Sequence, residues 1–366
     1  MTFFGPHPSA PKFGKTLGLS LGISGWFGLA CLLCALALFG SQACGQDGPG
    51  RQGNSQQTLA GPQFVLEWGS KGGKPGEFFS PVCIAISQRD EIFVADLNNS
   101  RIQQFSTEGK FVNSWDLPMD APPRRSCVVG GLAIDGKGNL YVAFMVQNKI
   151  AVYSPQGKWV REWGRKGQGD GELHQPGGMV IGTDGNLFVA DQCNHRIQVF
   201  STEGQFRGKW GSHGMSPGQF GGKEPLGSRF AGPHFLSRDS HGRLYTTEGV
   251  LGRIQQFSPE GKVLCSWGDK VREPGAFGEY QFGNLKNTFG PVGVFADKQD
   301  RIWVSSLNDR VQAFTTEGKF LFRLDGTNDS DDIFAKPHGM AVDSKGFLYI
   351  ADSGNQRIVK FRLPAP

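Results

Sequence analysis

From Gln63 to Leu363, short apolar runs alternate with polar turns marked by Gly, Pro, Ser, Asn and Asp. Runs this short, rich in β-branched and aromatic residues and bounded by turn residues, predict strands rather than helices. They recur in a fixed order. A Pro leads the first run, as in Pro81-Val82-Cys83-Ile84-Ala85-Ile86. After a polar turn comes an aromatic-rich run such as Leu140-Tyr141-Val142-Ala143. A third run opens at Arg-Ile, as in Arg196-Ile197-Gln198-Val199-Phe200, and a fourth ends at Trp-Gly, as in Val160-Arg161-Glu162-Trp163-Gly164. The third and fourth runs are joined by turns such as Ser106-Thr107-Glu108-Gly109 and Ser258-Pro259-Glu260-Gly261. These suit a type I turn in which Gly takes a positive φ before the return strand.

The unit is written six times. Its most regular feature is Asp-x-x-Asn-x-Arg-Ile: Asp96, Asn99 and Arg101 in the first copy, Asp191, Asn194 and Arg196 in the third, Asp352, Asn355 and Arg357 in the sixth. Copies two, four and five are degenerate, with Phe144, Glu248 and Ser306 in the Asp place. The Asp places fall at 96, 144, 191, 248, 306 and 352, spacings of 48, 47, 57, 58 and 46 residues. Four strands per copy at a period of about 40–50 residues predict a β-propeller. The sixth copy stops after its third strand, whereas Gln63-Phe64-Val65-Leu66-Glu67-Trp68-Gly69 is a fourth strand with no copy of its own. That N-terminal strand is expected to complete the last blade and close the ring, which leaves no open sheet edge.

The expected fold is therefore all-β, a six-bladed propeller over residues 63–366. An uncharged apolar run, Leu17 to Phe39, precedes it, with Lys12 and Lys15 ahead and Ser41-Gln42-Ala43 behind. This is the layout of an export signal cleaved after Ala43, and its length also suits a retained membrane anchor. Lipidation of Cys44 is a third possibility. Residues 1–43 are read as signal peptide or anchor and 44–62 as a Gly-, Gln- and Ser-rich flexible linker. The propeller is accordingly expected outside the cytoplasm, secreted, periplasmic or held at the membrane.

Composition sharpens this reading. Gly is 54 of 366 residues, about twice the usual share, without the period of collagen. Most of the excess falls at the recurring turns. The net charge of +5 includes Lys12 and Lys15, so the remainder is too mild to argue for nucleic acid. Cys83, Cys127, Cys193 and Cys265 have no pairing pattern and are read as buried thiols, although Cys83 and Cys127 occupy similar places in adjacent copies.

The Asp-x-x-Asn-x-Arg-Ile core, repeated in register with a split last blade, resembles the NHL repeat. The resemblance covers roughly residues 63–363 and implies a six-bladed propeller. Asp, Asn and Arg are read as a staple repeated in each blade, the Asp–Arg pair bidentate and the Asn capping the turn. The strand-ending Trp is read as packing between blades.

Departures from the repeat point to function. The residues after the leading Pro or its equivalent are Val82, Gly130, Gly177, His234, Val292 and His338, so two histidines share one channel-mouth place. The Pro-His pairs resemble those of the NHL-type lyase that cleaves peptidyl-α-hydroxyglycine, which implies zinc held by His234 and His338. No third histidine matches; Gly130 stands in the second blade, and His174 and His195 are the candidates to substitute. The connections 211–232 and 268–290 are longer than the others and are expected to carry ligand contacts, with Arg125, Arg229, Phe230 and Tyr280 joining His174 and His195. The acidic stretch Asp325 to Asp332 suggests weak calcium binding, without the order of an EF-hand. No catalytic set is complete. The first expectation is a non-enzymatic binding or scaffold module for a protein, peptide or glycan; the alternative is a zinc-dependent lyase or hydrolase.

Overall fold

The copies fold into four-stranded antiparallel sheets, and the described residues contain six of them. The computed structural model describes residues 61–118, 128–223, 231–269, 274–278, 280–281, 288–324 and 334–364. Blade 1 comprises Pro81–Ile86, Ile92–Asp96, Arg101–Phe105 and Phe111–Asp116 from axis to rim. Blade 2 comprises Val129–Ile134, Leu140–Phe144, Lys149–Tyr153 and Trp159–Trp163. Blade 3 comprises Pro176–Ile181, Leu187–Asp191, Arg196–Phe200 and Phe206–Trp210. Blade 4 comprises Leu236–Arg238, Leu244–Glu248, Arg253–Phe257 and Val263–Trp267, and blade 5 Pro291–Ala296, Ile302–Ser306, Arg310–Phe314 and Phe320–Leu324. Blade 6 has Pro337–Val342, Phe347–Asp352 and Arg357–Arg362, and its outer strand is Gln63–Trp68.

The closure expected from the sequence is present. Gln63–Trp68 runs antiparallel to Arg357–Arg362, with Trp68 opposite Ile358. Inner strands of neighbouring blades touch all the way round the ring. Second strands are buried on both faces, which is why Ile92–Asp96 and its equivalents read as continuous apolar runs. Outer strands bury one face only and alternate, as in Phe206–Trp210.

Two kinds of glycine are obligatory for packing. Each strand-ending Trp lies on the turn Gly of the next blade; a Cβ on Gly204, at φ +90°, would stand 2.6 Å from Trp163. At the axis, a Cβ on Gly178 would stand 2.6 Å from the Cα of Phe235, because inner strands approach there without room for a side chain.

The structure corrects two details. Blade 4 lacks a full inner strand: Pro233 and His234 stand ahead of the three-residue strand Leu236–Arg238. The staple is also not bidentate. Arg196 Nε donates to Asp191 Oδ2 at 2.7 Å, while its two terminal nitrogens donate to the carbonyls of Gln168, Gly169 and Glu172. Asn194 does not cap the turn but bridges Asp191 Oδ2 and the Gly167 carbonyl, each at 2.8 Å. Arg101 and Asn99 grip residues 72–77 in the same way from Asp96. The physical reason is that the loop leading into each inner strand would otherwise leave its carbonyls unsatisfied.

Cys83, Cys193 and Cys265 are buried. Cys127, the acidic stretch 325–332, the apolar segment 1–43 and most of the linker lie outside the described residues. Among the described residues no helix is long and apolar enough to cross a membrane.

Candidate ligand-binding site at the channel mouth

The loops into the inner strands and the turns after the second strands share one face, and there the channel opens into a cavity of about 520 Å³. Two rings of repeat positions build its wall. The first is the residue after the leading Pro, supplying Val82, Gly130, His234, Val292 and His338. The second is the residue after the staple Asp, supplying Leu97, Met145, Leu307 and Ser353. Sequence reasoning missed this second ring. Its signal was a position that varies from copy to copy while its neighbours stay fixed. Blade 3 places Gln192 there, wholly buried, and its amide has no hydrogen-bond partner among the described residues.

Left-handed residues fasten the mouth from blade to blade. Ser80, Gln175 and Lys336, each just before the leading Pro, have φ of 64°, 55° and 52°. Their N–H groups donate to side chains of the preceding blade: Ser80 to Gln356 at 2.6 Å, Gln175 to Asn148 at 2.9 Å, Lys336 to Asp309 at 2.7 Å. Those three acceptors are left-handed as well. Backbone held this way persists only where its surroundings determine it.

His234 and His338 are both half-buried at the mouth. Burial, and then the nearby His338, push the His234 pKa down to about 3. Burial also lowers that of His338, so both rings are neutral at pH 7. The Nδ1 of His338 lies 2.8 Å from the Lys336 carbonyl, which can only accept, so Nδ1 carries the proton and Nε2 keeps its lone pair. Such a backbone hold is what a metal-ligating imidazole needs. The rest of the donor set falls short. Among the described residues no third His, Cys or carboxylate clusters with these two histidines, and catalytic zinc usually takes three protein ligands. Cys83 lines the same cavity, but burial pushes its thiol up to about 12, so it is not a thiolate.

The other expected site residues fall elsewhere. His174 and His195 do not line the cavity. His195 ends the short helical turn Gln192–Asn194 in the left-handed conformation and is wholly buried, its ring 4.7 Å from that of His213. Arg125, Arg229 and Phe230 lie outside the described residues, and Tyr280 belongs to a short strand paired with Thr288–Phe289. Among the described residues one group, Asp239, His241 and Asp300, has ligand-like spacing. Its carboxylates are already engaged, Asp239 by Arg243 and Tyr245, and Asp300 by Ser240. Asp90 and Ser344 make the same link between blades 1 and 6, which marks the group as structural.

The buried His195 makes stability depend on pH. Burial, then His213 and His174, lower its pKa from the ordinary 6.5 to about 4. The unfolded chain therefore takes up a proton between those values that the folded chain refuses. This stabilising contribution is complete above pH 6.5 and is lost as pH falls toward 4. With chelator present, denaturant unfolding at pH 7 and pH 4.5 should show the native chain losing about 2 kcal/mol more than His195→Asn, since Asn tolerates the same backbone. Equal losses would refute it.

The NHL repeat family matches residues 78–105, 173–200 and 334–361, the first, third and sixth copies. The described residues form a six-bladed β-propeller that carries three NHL repeats. E3 ubiquitin-protein ligase TRIM32 of Homo sapiens is 41% identical over 64 residues, 18% of this chain and 9% of that protein. Protein lin-41 of Caenorhabditis elegans is 33% identical over 63 residues, 17% of this chain and 6% of that protein. The matched part of this chain thus spans less than a tenth of the length of these curated relatives. A catalytically inactive virginiamycin B lyase from Staphylococcus aureus, crystallised with quinupristin, superposes with a TM-score of 0.52. Its identity is 19% over 77% of this chain and 80% of that one, a likeness of fold alone.

Proposed function

We propose that this NHL propeller is a non-enzymatic binding module, exported or membrane-tethered through its N-terminal segment, that takes a protein or peptide segment into the channel mouth. The observation that carries this reading is the cavity of about 520 Å³, walled mainly by apolar side chains with a few convergent polar groups. Leu97, Met145, Val292 and Leu307 suit an apolar side chain, while His338 Nε2, Lys336 and Gln356 suit the polar groups beside it. A glycan would favour more flat aromatic surface than Phe235 alone provides among the described lining residues. The NHL repeats and the partial likeness to TRIM32 and lin-41 support a protein partner.

Peptides selected by display against the full chain test this. Leu97→Trp, which fills the cavity, and Lys336→Glu should each weaken the selected peptides at least tenfold with little change in melting temperature. Peptides indifferent to both substitutions would remove the channel mouth as the site. The second reading, a zinc-dependent lyase or hydrolase, is favoured by the hold of the Lys336 carbonyl on His338. Stoichiometric zinc lost in both His234→Ala and His338→Ala would replace the binding reading with this one.

A further inference from the structure

We propose a second site, for a divalent transition metal, between His195 and His213 at the junction of blades 3 and 4. It does not rest on the channel-mouth reading and uses none of its residues. The first observation is His195 itself. Its side chain is wholly buried, yet neither ring nitrogen has a hydrogen-bond partner among the described residues. Buried polar groups are nearly always satisfied, so an orphaned imidazole calls for an explanation.

The second observation is the geometry around it. The His195 and His213 rings stand edge to face, with centroids 4.7 Å apart and planes at 69°. Zn–N bonds of about 2.0–2.1 Å at a tetrahedral angle place two imidazole centroids roughly 5 Å apart, so a small shift admits the ion. The backbone packs closely around the two rings and fixes them. Ser212–Gly214 pairs in parallel with Gln219–Gly221, which fixes His213 opposite Phe220. Gly221 lies against His195, and a Cβ there would stand 2.4 Å from His195 Nδ1. The Gly221 N–H is anchored on Glu248 Oε2 at 3.2 Å.

Imidazole nitrogen donors suit zinc, copper or nickel rather than calcium or magnesium. His174 is the next imidazole on this side of the blade. Its backbone is fixed by bonds from its N–H to Asp191 and from the Cys193 N–H to its carbonyl. Water completes the coordination.

The test is equilibrium dialysis of the full chain against zinc, followed by metal analysis, with copper(II) loaded in parallel for electron paramagnetic resonance. One equivalent of zinc is expected, retained in the His234→Ala/His338→Ala double variant. Affinity should fall at least tenfold in His195→Asn and in His213→Ala, and copper(II) should show imidazole nitrogen coupling that His213→Ala reduces. His213 is only half-buried, so its variant reads the site even where His195→Asn perturbs folding. Zinc that leaves with His234 and His338, or binding unchanged in His213→Ala, overturns the proposal. So does the absence of any stoichiometric metal.

Discussion

A chain lacking residues 63–69 should lose the cooperative unfolding of the propeller and self-associate. One strand closes the ring, and its contacts are concentrated at its end. Glu67 pairs with Arg357 at 2.7 Å. The Trp68 ring meets Tyr349 of blade 6 at 6.1 Å and Phe105 of blade 1 at 5.7 Å. It also covers the turn at Gly109, where a Cβ would come within 2.8 Å of the indole. Trp68 therefore fastens the last blade to the first on the outer side, where their inner strands already touch at the axis. Without the strand, Arg357–Arg362 becomes an open edge whose amides can pair with another molecule. Trp68→Ala alone should cost about 3 kcal/mol, the low end for a large aromatic because the ring is only half-buried. In a domain of this size that lowers the melting temperature by roughly 5–10 °C. Thermal melts and size-exclusion chromatography with light scattering read both effects. A truncated chain that stays monomeric and melts at the full-length midpoint would show that the closing strand is dispensable.

The blades were legible because each is a local object. Turn glycines, leading prolines and the apolar second strand follow from contacts within a few dozen residues, and the repeat prints each of them at least five times. Even the closure was legible, since a fourth strand with no blade and a blade with no fourth strand have one mutual solution. The staple was legible in membership but not in geometry. Its fork is set by carbonyls of residues 167–172, which the repeat pattern does not mark as acceptors. A fourth member, Gln103, Gln198, Gln255 or Gln312, went unnoticed although Arg-Ile-Gln or Arg-Val-Gln stands in four copies. Each donates to a carbonyl of the same loop. The site was harder. His195 belongs to the repeat and His213 to an irregular connection, and only folding shows that they meet. Gln192 carried no signal except that its place in the repeat is not kept constant.

Asp191→Ala should cost about 3–5 kcal/mol, the loss expected when one partner of a buried ion pair is removed and the other stays behind. The carboxylate accepts from four donors: Arg196 at 2.7 Å, Asn194 at 2.8 Å, Gln198 at 2.9 Å and the His174 N–H at 2.7 Å. Its side chain is fully buried and that of Arg196 nearly so. The pair itself need not be a large net gain, because both charges give up water. Blade 2 makes this point naturally. It puts a buried Phe144 in the Asp place and Lys149 in the Arg place, with the ammonium 5.9 Å from the ring, and still forms a full sheet. The double variant Asp191→Phe/Arg196→Lys should therefore recover at least half of the stability lost by Asp191→Ala, as read by denaturant unfolding. What the Phe–Lys pair cannot replace is the grip on the loop. Asp191 holds the His174 N–H directly and, through Arg196, the carbonyls of Gln168, Gly169 and Glu172. Amide hydrogen exchange across Gly167–Gln175 should rise in both variants, even where global stability returns. Unchanged protection there, together with a full loss of stability, would mean that the staple serves the sheet rather than the mouth. The expected split says the opposite: the staples of blades 1, 3, 4 and 6 fix the loops that shape the channel opening, and the sheets hold together by packing.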